Sequence, residues 1–404
     1  MHKNQYFTGQ PIFNQLLSFI PKSIISKLVV KHQSDRYYKR FFTYDHLVSM
    51  LYCCFHQCQS IREVITGLQV SYSKLNHLGL EHVPRRSTLA EANSKRTEAF
   101  FEDLFHALVK KYYPFLPDSR KCKMEDRILL MDSTTVKLFS DVMKGAGTKP
   151  VNGKAKGGMK AHVLMSGKHD IPQFVKLTHG VRNDKVFLKH LDLKAGDIIV
   201  FDMGYVNYHQ YQRWTKDKVN FVTRLHPRAI MNVVKINPVS LKHKAQGVIS
   251  DRIVELGTMA NNPKIPIIKA RLVRYYDQES GKDFTFLTNN MQWVPTTIAS
   301  LYKQRWQVEL LFKRIKQAYP LKYFLGESEN AIKIQMWCAL IADLLMKLVK
   351  DKVQRKWSFS NIVSMIRLHL MTYIDVIQFL RNPDKALFHY TDPSPPNYPQ
   401  KVLF

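Results

Sequence analysis

Apolar and polar positions along this chain follow three successive patterns. From Thr43 to about Gln59 the apolar residues Leu47, Met50, Leu51 and Cys54 recur at helical spacing, with the Thr43 hydroxyl placed to cap the start. Ser60 followed by Glu63 predicts a capping box and a second helix. A third helix is expected from Ser87 to about Tyr113. After the Pro114–Pro117 linker the period shortens to that of strands. Strands are predicted at Arg127–Phe139, Ala161–Met165, Gln173–Thr178, Asp197–Asp202 and Asn220–Leu225. Helices are predicted after Asn183 and over Asn207–Lys216. The order β-β-β-α-β-α-β predicts a mixed-sheet, nuclease-like α/β core. Residues 226–295 alternate around turns at Asn261–Pro263 and Glu279–Lys282, which predicts a β-rich insertion. Helical spacing returns at Ser300–Lys316, Asn330–Val349 and Phe359–Leu380. The first of these three is the catalytic candidate, and the second is expected to pack beneath it. The proline-bearing tail from Asp384 is expected to be loose.

The Ser300–Lys316 stretch divides sharply when wound at about 100° per residue. Leu301, Val308, Leu311, Phe312 and Ile315 share an apolar stripe suited to a sheet. Arg305, Trp306, Glu309, Lys313 and Lys316 share another side. That side sets one carboxylate among several cations. An amphipathic surface helix with an i,i+4 Glu309–Lys313 pair would read the same way, so the helix alone decides nothing.

Charge narrows the partner. Lys and Arg number 61 against 32 Asp and Glu, a formal charge of +29. The excess runs along the whole length, which points to a polyanion, and nucleic acid is the expected one. No 18-residue charge-free apolar run and no signal peptide occur, so a cytoplasmic, nucleoid-associated bacterial protein without membrane contact is expected. The five cysteines lack the spacing of a disulfide or zinc framework and are expected to be reduced core thiols. Pro84–Arg96 resembles the start of a helix-turn-helix reader, with Arg85 and Arg86 as DNA-contacting candidates.

Three carboxylates stand out by position: Asp132 within the first strand, Asp202 at the end of the fourth and Glu309 on the later helix. In a core of this order the first and fourth strands are neighbours, so both aspartates can face one cleft. Three hard oxygen ligands suit two Mg²⁺ ions, or Mn²⁺, roughly 3.5–4 Å apart.

At these residues the chain resembles the DDE insertion-sequence transposases, in the branch with a Tyr-x₂-Arg-x₃-Glu-x₆-Lys signature. Tyr302, Arg305, Glu309 and Lys316 have that spacing, and Asp202-Met-Gly-Tyr205 and Met131-Asp132-Ser-Thr resemble the two aspartate motifs. The resemblance implies a ribonuclease H-like core with a β-rich insertion, a homodimer on paired transposon ends, and excision through a DNA hairpin. It implies metal ligation by Asp132, Asp202 and Glu309. Phosphate contacts fall to Tyr302, Arg305, Lys316 and Lys313, a strand contact to Trp306, and a flipped-base contact to Trp293. The expected partners are double-stranded terminal inverted repeats and target DNA.

The expected domains are 1–118, an all-α DNA-binding region; 119–225, the first part of the core; 226–295, the insertion; 296–350, the catalytic helix and the end of the core; and 351–404, C-terminal helices and tail. A structure-specific nuclease on the same fold and a non-catalytic DNA-binding regulator are the competing readings.

Overall fold

The computed structural model describes residues 8–116, 127–137, 148–151, 154–156, 158–179, 187–188, 190–257 and 265–384. The predicted helix after Asn183, Cys122 and the tail after Asp384 lie outside them, apart from short pieces at 187–188 and 190. The amino-terminal part is helical: α1 (Ile12–Leu17), α2 (Lys22–His32), α3 (Thr43–His56), α4 (Ile61–Val70), α5 (Arg86–Lys95) and α6 (Ala99–Tyr112). Next come β1 (Ile128–Lys137), a small hairpin of β2 (Thr148–Val151) and β3 (Lys154–Lys156), β4 (Gly158–Ser166), β5 (Pro172–His179) and β6 (Ile198–Phe201). They are followed by α7 (Tyr208–Lys216), β7 (Asn220–Arg224), β8 (Met231–Asn237), α8 (Leu241–Ala245), β9 (Val248–Leu256), β10 (Ile268–Asp277) and β11 (Lys282–Thr288). The chain closes with α9 (Pro295–Gln304), α10 (Trp306–Ala318), α11 (Glu329–Val353), α12 (Phe359–His369) and α13 (Val376–Arg381).

Two compact units result, Met1–Leu108 with Ala318–Phe404, and Val109–Gln317. In the second unit a nine-stranded mixed sheet runs β5-β4-β1-β6-β7-β11-β10-β9-β8. β1 pairs antiparallel with β4 and parallel with β6, and β6 pairs parallel with β7. The first five positions of that order are the ribonuclease H-like arrangement expected from the sequence. The 226–295 segment contributes β8–β11, which continue the same sheet because β11 pairs with β7. One face buries Leu129, Met131, Ile199, Phe201 and Phe221 against Tyr211 and Trp214 of α7. Alternation sends Leu130, Val200 and Val222 to the opposite face, and α9 lies across β6, β7 and the insertion strands.

In the helical unit α11 packs on α3, α5, α12 and α13. Its residues Ile334, Cys338, Ile341, Leu345 and Met346 are fully buried, and such an all-round apolar helix needs neighbours on every side. The predicted third helix is broken. Arg96 leaves the helix between α5 and α6 (φ −72°, ψ 131°) and buries its guanidinium, which donates to the carbonyls of Phe41 (2.7 Å) and Phe42 (3.0 Å). Asn330 caps the freed end of α5 by donating to the carbonyls of Asn93 and Arg96. Ser60 caps α4 as predicted, accepting from the Glu63 amide. The Thr43 hydroxyl does not cap α3: it donates to Asp35 and pairs with the Ser34 hydroxyl, and the Asp45 carboxylate takes the Phe42 amide instead. Cys53, Cys54, Cys58 and Cys338 are buried free thiols. Among the described residues no helix is long and apolar enough to cross a membrane.

Candidate active site

Sheet register sets the first layer of the site. Leu130, Val200 and Val222 lie in one row across β1, β6 and β7. Two residues further along each strand come Asp132, Asp202 and Arg224. Since side chains alternate with period two, these three project from the same face as that row, the face opposite the α7 core. Sequence reading found both aspartates and missed Arg224. The signal was present in kind, because Phe221-Val-Thr-Arg224 is an apolar strand ending in a charge, as Ile198-Ile-Val-Phe-Asp202 is.

The second layer comes from α9 and α10. The predicted single helix is two, meeting at Arg305, where the Val308 amide turns back to the Arg305 carbonyl (3.0 Å) while Arg305 itself stays right-handed (φ −54°, ψ −28°). The apolar stripe behaves as expected, with Leu301, Val308, Leu311, Phe312 and Ile315 all buried. The polar side delivers Tyr302, Arg305 and Glu309 to the strand-end acids.

Arg305 donates from Nη1 to Asp132 Oδ2 and from Nη2 to Glu309 Oε1, each at 2.6 Å. Arg224 donates to Asp202 Oδ1 from Nε (3.1 Å) and Nη2 (2.7 Å), and the Tyr302 hydroxyl reaches the same oxygen at 3.1 Å. Both guanidinium groups also flank the Tyr302 ring, Arg305 at 5.5 Å and Arg224 at 5.9 Å from its centroid. Lys316 is exposed and donates to Thr134 Oγ1 (2.6 Å), two residues past Asp132 on β1.

The environments separate the two aspartates. Burial pushes Asp132 up to about 6, against the pull of Arg305, and Glu309 and Asp202 add to the rise. Burial also acts on Asp202, but the Arg224 guanidinium outweighs it and holds the carboxyl below its usual range. Burial raises the Tyr302 phenol to about 12. Burial opposes the charge of Arg305, yet Tyr302, Asp132 and Glu309 hold it firmly protonated.

The other candidates are on α10, in the loop before α9 and at the start of α5. Trp306 and Lys313 are exposed on α10, Trp306 to 58%. Trp293 sits in the loop between β11 and α9, where its carbonyl accepts from Arg271 at 2.6 Å. Arg85 and Arg86 are exposed at the start of α5 in the helical unit.

Every carboxylate of the cluster is a hard oxygen donor, and each already holds a cationic side chain. The donor set therefore fits divalent cations. Among the described residues no three His, Cys, Asp or Glu side chains stand close enough to share one ion. Arg305, between Asp132 and Glu309, occupies the position of a counter-cation.

Residues 123–345, more than half of the chain, match the family profile described as the transposase DDE domain, and residues 8–81 match a domain of unknown function, DUF4372. Proteins named as transposases are similar in sequence. One is y4zB of Sinorhizobium fredii, 32% identical over 271 residues, which are 66% of this chain and 71% of that one. Another is named as a probable transposase for insertion sequence element IS5377 of Geobacillus stearothermophilus, 27% identical over 61% of this chain and 63% of that one. A cryo-EM structure of the piggyBac transposase synaptic complex with hairpin DNA aligns at TM-score 0.40 and 11% identity, over 97% of this chain and 85% of that one. This chain belongs to the transposase DDE domain family and is a transposase.

Proposed function

We propose that the chain binds the terminal inverted repeats of its own element as a homodimer and cuts and rejoins DNA strands there, excising the element through hairpin ends. The observation that carries this reading is the Arg305 fork, which ties Asp132 on β1 to Glu309 on α10 while Asp202 is held by Arg224 and Tyr302. Half-buried carboxylates from three distant stretches gather around cations with no evident folding reason. A non-catalytic DNA-binding regulator has no use for them.

Asp132, Asp202 and Glu309 would hold the ions, two Mg²⁺ or Mn²⁺. When bound, such ions lower the pKa of an attacking water and stabilise a leaving 3′ oxygen. The protein's own groups do the rest. Burial, with Glu309 and Asp202 nearby, raises Asp132 to about 6 against the pull of Arg305. Arg305 and Arg224 supply two protonated forks for the phosphates beside the cut bond, the geometry a phosphate prefers. Tyr302, buried and un-ionised, can orient a phosphate oxygen without adding charge. Lys316, at Thr134, places a further cation along β1.

The test is an incubation of linear DNA carrying the element's ends with Mg²⁺ and a target plasmid. Joined products support the proposal. Cutting without joining would favour a structure-specific nuclease, and retention without cutting a regulator.

A further inference from the structure

We propose that the loop between α2 and α3, Gln33–Phe42, is a built DNA contact in which Arg36, Lys39 and Arg40 take the phosphates of a duplex and Tyr37 lies against its sugar–base edge. The inference rests on DNA being the ligand, as proposed above. It gives a role to part of residues 8–81, the stretch matched by a domain of unknown function.

The loop is held rigidly from below. Gln33 ends α2 in the left-handed region (φ 47°), and the carbonyls of Gln33 and Asp35 accept the amides of Arg36 (3.0 Å) and Tyr38 (3.1 Å). Asp35 Oδ1 accepts both the amide and the hydroxyl of Thr43, each at 2.6 Å, and the hydroxyl of buried Ser34 bonds the Thr43 oxygen. Arg96, 2% exposed, donates to the carbonyls of Phe41 and Phe42 and lies 4.3 Å over the Tyr38 ring. The one acid of the loop, Asp35, is thus engaged with α3.

The crest is shaped for a polyanion. Arg36, Lys39 and Arg40 are exposed, and Tyr37 is 86% exposed with φ 70°. A non-glycine residue in the left-handed region costs energy, and such strain persists where the surroundings impose it. Folding gains nothing from an aromatic ring left in water at a strained position. The Arg36 guanidinium lies 4.9 Å from that ring and stiffens it. Three cations and one rigid aromatic, with no acid on the crest, match a DNA strand: phosphates for the cations, and a flat apolar edge for the ring. With a formal +29 on the whole chain, an anionic partner is also the one its field draws in.

The test uses the full chain and fluorescence anisotropy on duplexes copied from the terminal inverted repeats beside its coding region, over a salt series. Lys39→Ala/Arg40→Ala should shrink the log–log salt slope by roughly 1.8, at about 0.9 per phosphate contact. Tyr37→Gly should weaken binding about tenfold with an unchanged slope. Its melting temperature should be equal or higher, because glycine accepts φ 70° without strain. Wild-type affinity and slope in both variants, beside a wild-type chain that binds its ends, would overturn the loop contact alone. A wild-type chain that does not bind these duplexes would overturn the transposon-end reading and the loop contact together.

Discussion

Arg224 and Asp202 end adjacent parallel strands in the same register, and the arginine gives two hydrogen bonds to one carboxylate oxygen, at 3.1 and 2.7 Å. A side chain that satisfies an acid this well competes with any other cation for it. Arg224→Ala should therefore lower the Mn²⁺ concentration needed for half-maximal cleavage. The maximal rate should still fall, by about 10- to 100-fold, because the fork proposed to meet a phosphate is lost. Metal titrations of cleavage on end DNA read both quantities. A half-maximal concentration that rises would show that Arg224 supports the site's ligands instead of competing with cations.

The three carboxylates should be individually indispensable for chemistry and dispensable for binding. Asp132→Asn, Asp202→Asn and Glu309→Gln keep size and remove charge. Each should reduce strand cleavage by at least about 10³-fold, the scale of losing a principal electrostatic group, while end-DNA retention in gel shifts stays near wild type. Cleavage at the wild-type rate by any one of them strikes that residue from the site.

Much of this architecture was legible because it is local. Ile198–Asp202 is apolar until its last residue, so its position at a strand end could be read directly. The buried stripe from Leu301 to Ile315 follows from helical spacing alone. Arg224 escaped because its meaning depends on register: only the pairing of Val200 with Val222 aligns it with Asp202. The joining of β7 to β11 is likewise a pairing of Val222–Arg224 with Phe286–Thr288, across some sixty residues, and periodicity carries no trace of it. The break at Arg96 was hidden for a similar reason. Its cause is a pair of carbonyls at Phe41 and Phe42, far upstream in the chain.

Insertion strands and the loop leading to α9 are tied by a buried ion pair. Arg271 bonds Asp251 at 2.9 and 2.6 Å, both side chains are nearly inaccessible, and the remaining arm of Arg271 holds the Trp293 carbonyl. Asp251→Ala leaves a buried guanidinium without its counter-charge, which costs about 3–5 kcal/mol. Urea unfolding should show that loss. Arg271→Met/Asp251→Leu should recover most of it, and a double variant no more stable than Asp251→Ala would mean the pair stabilises by more than mutual charge compensation.

His46 makes folding sensitive to acid. Burial, helped by the nearby Arg96 charge, pushes its pKa down to about 3 from an ordinary 6.5. Below pH 6.5 the unfolded chain takes up a proton that the folded chain refuses, so stability is highest above that value and declines as pH falls toward 3. One such group contributes about 1.4 kcal/mol per pH unit in this window. His46→Gln should flatten the dependence of unfolding free energy on pH by about that slope between pH 6 and 4. Equal slopes in the two proteins would show that His46 does not refuse the proton.

Arg305 has two partners, Asp132 and Glu309, and under the proposed function it would have a third in the DNA. As the only described side chain bonded to two of the three acids, it sets the spacing of β1 against α10. In the proposed reading its planar fork would meet the phosphate next to the cut and supply both geometry and charge there. Its removal should cost a few kcal/mol of transition-state stabilisation, roughly 10²- to 10³-fold in rate. The loss should not fall evenly. A nick leaves the strand nearly straight, whereas forming a hairpin bends it back and places two charged segments side by side, so the second step relies more on a fixed cation. Arg305→Ala should therefore accumulate nicked ends over hairpins in a time course on labelled end DNA. Arg305→Lys keeps the charge without the fork and should recover nicking better than hairpin formation. The half-maximal metal concentration should not rise, because Arg305 is no ligand. If both steps slow in equal proportion, or if excess Mn²⁺ restores Arg305→Ala completely, the guanidinium serves only to neutralise the acids.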